Sequence, residues 1–179
     1  VAIGSGVAMS FLGNSHYGIE DASIMRSIPN ITVVAPADCG EIVKTIFAAA
    51  EHEGPMYIRL TGEANNPIVY EEDYNYDIGK AITLRKGSDN SIFANGTMVY
   101  ESIEASKLLE LEGIFAKVVN MHTIKPLDTS VIDEAVTSSK LVVSIEEHSV
   151  IGGLGSAIAE YKTTLDHASP QLILGLPDK

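Results

Sequence analysis

A single cysteine, no tryptophan and half as many basic as acidic residues set the first limits on this chain. With Cys39 alone, no internal disulfide can form, and such cysteine usage suits a reducing compartment. Neither CxxC nor HExxH occurs, so no zinc pattern is readable. Lys and Arg number 12 against 24 Asp and Glu, a formal net charge of −12. That balance argues against nucleic acid and anionic membranes as partners, because both would be repelled. Small anionic substrates stay open, since local groups bind them. No apolar run reaches about 18 residues, so no spanning helix is read. No signal-peptide pattern is read either, and a cytoplasmic location is the expectation.

What is present is a globular composition: 45% apolar over 179 residues, enough for one large domain or two small ones. Val1 to Val7 reads as a strand. Ile31 to Ala35 is nearly all apolar, as in a strand buried on both faces of a parallel sheet. Asp38 with Glu41 is a variant capping box, and Ile42, Ile46, Ala49 and Ala50 give the following helix its apolar face. Gly54-Pro55 ends that helix and Met56 to Leu60 is the next strand, a β-α-β unit. Gly62 to Asp77 is polar and turn-rich and reads as a linker, whose Tyr70, Tyr74 and Tyr76 predict that it packs on a surface. From Ile78 onward, strand-like runs alternate with helices that open at Gly96-Thr97, at Asp128 and at Gly152-Gly153. Val131, Ile132, Ala135 and Val136 form a clean stripe on the second of these. Such alternation specifies an α/β fold with a parallel sheet.

Several residues could carry chemistry. Gly13-Asn14-Ser15-His16 leads into a helical pattern with Glu20 and Asp21 in its first turn, Ile24, Met25 and Ile28 on an apolar face, and a stop at Pro29-Asn30. His16 reads either as a structural cap or as a group that hydrogen-bonds a polar ligand; the helix dipole resists its protonation. Arg59 lies near the carboxyl end of its strand, where open α/β sheets bind ligands. It reads as a surface arginine paired with a carboxylate or as a fork for an anion. Gly152-Gly153-Leu154-Gly155-Ser156 reads as a tight turn with close helix–sheet packing rather than a phosphate cradle, for it is not GxGxxG and no P-loop Lys follows. Glu146, Glu147 and His148 alternate faces in a strand and cannot all converge on one site. His148 therefore reads as a structural or interface residue; His122, before Thr123-Ile124-Lys125-Pro126, reads the same way, and Cys39 as structural.

The same residues resemble a known family. His16-Tyr17-Gly18-Ile19-Glu20-Asp21, then Met25-Arg26-Ser27-Ile28-Pro29-Asn30, then Val33-Val34-Ala35-Pro36-Ala37-Asp38 look like the pyrimidine-binding domain of the transketolase family. Gly96-Thr97-Met98-Val99, Thr123-Ile124-Lys125-Pro126-Leu127-Asp128, Glu146-Glu147-His148 and Gly152-Gly153-Leu154-Gly155-Ser156 resemble the transketolase C-terminal domain. The resemblance covers nearly the whole chain. It implies part of a parallel-sheet pyrimidine-binding domain over residues 1–62, a linker over 63–77 and a three-layer α/β/α transketolase C-terminal domain over 78–179.

By that resemblance the parent uses thiamine diphosphate to move a two-carbon ketol unit between sugar phosphates. His16 would be catalytic, hydrogen-bonding the donor carbonyl or hydroxyl, and Arg59 would bind the substrate phosphate. In the family, the cofactor-activating glutamate lies upstream of the matched segment, and a separate N-terminal domain or subunit holds the diphosphate with Mg²⁺ or Ca²⁺. No cofactor or metal residue is therefore expected on this chain. It reads as a fragment or subunit, inactive alone, of a homodimeric enzyme that includes such an N-terminal partner. Leu12 and Gly4 stand where many sugar-phosphate transketolases carry Asp and His, which suits the divergent, split members better. Other readings are a 1-deoxy-D-xylulose-5-phosphate synthase, which shares the His and Arg but decarboxylates pyruvate, a 2-oxoacid dehydrogenase β subunit, and, outside enzymes, a dimerisation or assembly module.

Overall fold

The computed structural model describes residues 2–62 and 65–178; Val1, Lys179 and residues 63 and 64, where the expected linker begins, lie outside the described residues. The first segment forms β1 (Ala2–Ser5), α1 (Asp21–Ser27), β2 (Thr32–Val34), α2 (Cys39–Glu51) and β3 (Met56–Thr61). β3 lies between β1 and β2, parallel to both. Val33 and Val34 are wholly buried, as an apolar strand covered on both faces requires. Asp38 caps α2 by accepting from the Glu41 N–H at 2.8 Å. Glu41 returns its carboxylate to the Ala37 N–H at 2.6 Å, one residue ahead of the cap.

Two helices turn a different face inward from the one their apolar spacing predicts. On α2, Glu41 and Thr45 are buried, while Val43, Ile46 and Phe47 face outward. The cause is tertiary, since residues 66–77 lie along this side and the Tyr76 hydroxyl meets Thr45 Oγ1 at 2.8 Å. On α1, Ala22 is buried and Met25 packs on the core, while Ile24 and Ile28 face outward.

The second segment forms β4 (Ile82–Arg85), β5 (Asn90–Ala94), α3 (Met98–Leu111), β6 (Ala116–Asn120), β7 (Thr123–Lys125), α4 (Thr129–Ser138), β8 (Leu141–Ser149), α5 (Leu154–Lys162) and β9 (Gln171–Leu176). Five of its strands make a sheet of order β4-β6-β5-β8-β9, parallel except for the antiparallel edge β4. The α4 stripe of Ile132, Ala135 and Val136 is buried with Phe93, Met121, Leu154 and Ile158. α3 instead buries Val99, Ser102 and Ser106, whose hydroxyls donate to the carbonyls of Met98 and Ile103 and so need no outside partner.

β7 is too short to show a period in the sequence. It leaves the second segment and pairs antiparallel with β2, which makes the first sheet β1-β3-β2-β7. Lys125 Nζ then donates to the carbonyls of Arg26 (2.8 Å) and Ile28 (2.6 Å) at the end of α1. The fold is thus α/β with two mixed, mostly parallel sheets joined through one strand. Residues 66–77 run along this seam. Tyr70 stacks on Tyr74 with centroids 3.8 Å apart, and Tyr76 on His122 at 4.5 Å. At its centre the Glu41 carboxylate accepts from Asn120 Nδ2 at 2.8 and 3.0 Å. Burial pushes the Glu41 carboxyl up to about 7 and pulls His122 down to about 4.

Candidate functional site

The candidate site lies at the carboxyl ends of β1 and β3. β1 runs into Gly6, which exchanges backbone hydrogen bonds of 2.7 and 3.1 Å with Gly18, so residues 7–17 leave and return as a closed loop. Gly6 has φ +76°, and a Cβ there would lie 2.5 Å from the Glu147 carboxylate, so only glycine fits. Two 3-10 turns, Ser10–Leu12 and Asn14–His16, tighten the loop. His16 ends the second turn and is exposed. Its Nδ1 is 3.0 Å from Ser15 Oγ, and among the described contacts its Nε2 has no protein partner. One ring nitrogen is held and the other is open to a ligand.

His16 does not cap α1, whose N-cap is Glu20. The cap comes from the other segment: His148, buried, accepts the Ser23 N–H through Nε2 at 3.3 Å while its Nδ1 lies 2.8 Å from the Ser149 carbonyl. A carbonyl only accepts, so Nδ1 carries the proton and Nε2 is the acceptor. His148 is thus structural, one of the two readings its strand position left open.

Arg59 is 6% exposed and turned inward beneath the loop. Its Nε donates to Asp21 Oδ2 at 2.8 Å, and its Nη2 donates to the carbonyls of Gly18 (3.0 Å) and Glu147 (2.8 Å). Asp21 Oδ2 also accepts from the Tyr57 hydroxyl at 2.9 Å. This placement departs from the expected phosphate fork. Pulling the guanidinium away would leave the half-buried Asp21 with only the Tyr57 hydroxyl, and breaking a buried pair costs about 3–5 kcal/mol. His16 and Arg59 are therefore the exposed end and the buried root of one loop; no contact joins them among the described residues.

The Glu-Glu-His run divides its work. Glu146, buried, accepts from the N–H groups of Leu154 (2.7 Å) and Gly155 (2.9 Å). A protein carboxylate thus already fills the start of α5, and the glycine run there is not a phosphate cradle. A Cβ on Gly155 would meet Ile173 at 2.5 Å, which is the close helix–sheet approach that requires glycine. Glu147 points the other way: its Oε1 accepts the Val7 N–H and its Oε2 the Thr97 hydroxyl, each at 2.6 Å. Sequence reasoning missed this contact because Val7 and Glu147 stand 140 residues apart. A cavity of about 430 Å³ opens beside the loop, between Asn14, Tyr17, Ile19 and Leu176. A second, of about 590 Å³, lies between the two segments against Thr97, Met98, Glu101 and Glu147. Among the described residues no group of three or more His, Cys, Asp or Glu is placed to hold a metal ion, and no helix is long and apolar enough to cross a membrane.

Known proteins share this architecture. The family model for the transketolase pyrimidine-binding domain matches residues 1–66, and that for the transketolase C-terminal domain matches residues 79–179. A subunit of the apulose-4-phosphate transketolase of Phocaeicola vulgatus is 35% identical over 180 residues, covering 100% of this chain and 57% of that protein. The 1-deoxy-D-xylulose-5-phosphate synthase of Chlorobium luteolum is 37% identical over 169 residues, 93% of this chain and 27% of the synthase. A solved structure described as a split gene transketolase, inactive β4 tetramer, is similar at TM-score 0.89 and 41% identity, over 99% of this chain and 56% of that one. The chain thus spans only part of each relative. By its ordered motifs, its two domain matches and its backbone, the chain belongs to the transketolase family.

Proposed function

We propose that this chain belongs to the C-terminal subunit of a split transketolase that transfers a two-carbon ketol unit between sugar phosphates. The observation that carries this reading is His16, exposed at the end of a loop with a fixed root, one ring nitrogen on Ser15 and the other open. Two relatives support it: one is named as a transketolase subunit, another is described as a split gene transketolase. Thiamine diphosphate, implied by the family, supplies the electron sink that lets the carbon–carbon bond beside a carbonyl break. The described residues offer no metal-ligand cluster. By the family resemblance, the diphosphate and its Mg²⁺ or Ca²⁺ belong to a partner subunit or N-terminal domain.

His16 binds the donor sugar through Nε2. The Ser15 hydroxyl can donate to Nδ1 or accept from it, so either neutral tautomer is held. With Nε2 protonated, the ring donates to the donor oxygen and stabilises charge that develops there. Arg59 enters as the root of the loop, in place of the phosphate role that the family resemblance implied. The division at residues 62 and 78, a homodimeric assembly with the partner, and a cytoplasmic location belong to the same proposal.

The test combines this chain with its N-terminal partner, thiamine diphosphate, Mg²⁺ and a panel of ketose phosphates and pyruvate. Ketol transfer from a phosphorylated donor is expected, with His16→Ala lowering kcat by about 100-fold, the usual loss for one oxyanion donor. Consumption of pyruvate without ketol transfer would move the reaction to the synthase branch. Self-association with no activity on any substrate would leave only an assembly module.

A further inference from the structure

We propose that Glu147, on β8 of the C-terminal domain, is a positioning residue for His16; this rests on the role proposed for His16 above. Two contacts of this residue reach the loop, one directly and one through Arg59. Its carboxylate holds the Val7 N–H, the first peptide of the loop, at 2.6 Å. Its carbonyl accepts from Arg59 Nη2 at 2.8 Å, and the same nitrogen donates to the Gly18 carbonyl at 3.0 Å, on the returning side of the loop. One residue of the second segment therefore holds one foot of the loop that carries His16 directly and reaches the other through Arg59.

The loop needs such a hold. β1 is the edge strand of its sheet, and the pairing of the loop's two feet consists of the single Gly6–Gly18 bridge. A two-bond bridge fixes the separation of the feet but leaves the loop free to tilt about it. The Glu147 carboxylate removes that freedom, and the Thr97 hydroxyl at 2.6 Å orients the carboxylate. Gly6 completes the arrangement, because any Cβ there would occupy the place of the carboxylate. Neighbouring residues extend the contact: the Ser149 N–H donates to the Ile19 carbonyl at 2.8 Å, and His148 caps α1 at Ser23. Among the described residues, the start of α5 is closed by the Glu146 carboxylate and not by that of Glu147.

The experiment uses the assembled holoenzyme with Glu147→Ala, Glu147→Gln, His16→Ala and the double variant His16→Ala/Glu147→Ala. Gln can keep both contacts, its carbonyl accepting from Val7 and its amide donating to the Thr97 oxygen. Glu147→Ala is expected to lower kcat by about 10- to 100-fold, the scale of a small misplacement of a catalytic group, with KM within about threefold. Glu147→Gln should stay within about threefold of the parent in both, since it keeps both hydrogen bonds. The double variant should be no slower than His16→Ala alone, because residues acting as one unit are not additive. Hydrogen exchange should quicken in residues 7–17 of Glu147→Ala, about tenfold or more, and return to the parent rate in Glu147→Gln. The proposal is overturned if Glu147→Ala slows the reaction equally with and without His16, if exchange in residues 7–17 is unchanged, or if Gln does no better than Ala. If His16→Ala retains full activity, the role of His16 fails and the positioning role falls with it; the exchange rates then report separately whether the carboxylate holds the loop.

Discussion

Replacing Glu41 by Gln should abolish a pH dependence of stability that is built into the seam between the two segments. Glu41 is fully buried. It accepts from the Ala37 N–H and from Asn120, and Asp38, Tyr70, Tyr74 and Tyr76 face it. Burial, helped by Asp38, raises its carboxyl from 4.5 to about 7 against the lowering pull of its hydrogen bonds. Between those values the unfolded chain has released the proton and the folded chain keeps it. Stability therefore falls as pH rises, by about 1.4 kcal/mol per pH unit. The contribution is complete below 4.5 and lost once pH has passed about 7, a total on the order of 3 kcal/mol. His122 opposes it. Its folded value of about 4 lies below the ordinary 6.5, so its contribution is present above 6.5 and lost as pH falls toward 4. The parent profile is consequently flattened where the two overlap, and the difference between parent and variant isolates Glu41. Gln keeps the shape: its oxygen can accept from Ala37, and the Asn120 Oδ1, buried without a partner, can turn to accept from the new amide. Urea unfolding followed by circular dichroism at several pH values from about 4.5 to about 8 gives both curves. Glu41→Gln should gain on the parent by on the order of 3 kcal/mol across that range. Parallel curves would refute the assignment of a raised carboxyl to this residue.

Other changes have equally definite outcomes. Arg59→Met should destabilise by about 3–5 kcal/mol in the same urea assay by leaving the half-buried Asp21 with only the Tyr57 hydroxyl, and Asp21→Asn in the same chain should recover most of the loss. Gly155→Ala places a Cβ 2.5 Å from Ile173 and should cost about 1–3 kcal/mol, part of it relieved by adding Ile173→Ala. His122→Phe keeps a ring against Tyr76 but cannot be protonated, so the variant should lose less stability than the parent as pH falls from 6.5 toward 4.

Much of the fold was legible without coordinates because it is local. The apolar run at Val33 and Val34, the Asp38 and Asp128 caps, and the Ile132–Ala135–Val136 stripe express strand burial, capping and helical period, each set by neighbours in the chain. The linker tyrosines were legible too, since three amphipathic rings in a polar stretch need a surface to cover. Helix faces were less so. The hydrophobic period of α2 points to Ile46, yet Thr45 and Glu41 turn inward because polar partners from distant segments meet them there.

By itself, the sequence determined the alternation of strands and helices, the caps and glycine turns, the family, and His16 as the residue to watch. Only the tertiary structure decided what the charged residues do. It turned Arg59 inward onto Asp21, sent Glu146 and Glu147 to opposite duties, assigned the α1 cap to His148 and lent β7 to the first sheet. The reason is physical. A buried charge or polar group is specified by its partner, and here the partners lie far away in the chain, where no period or spacing records them.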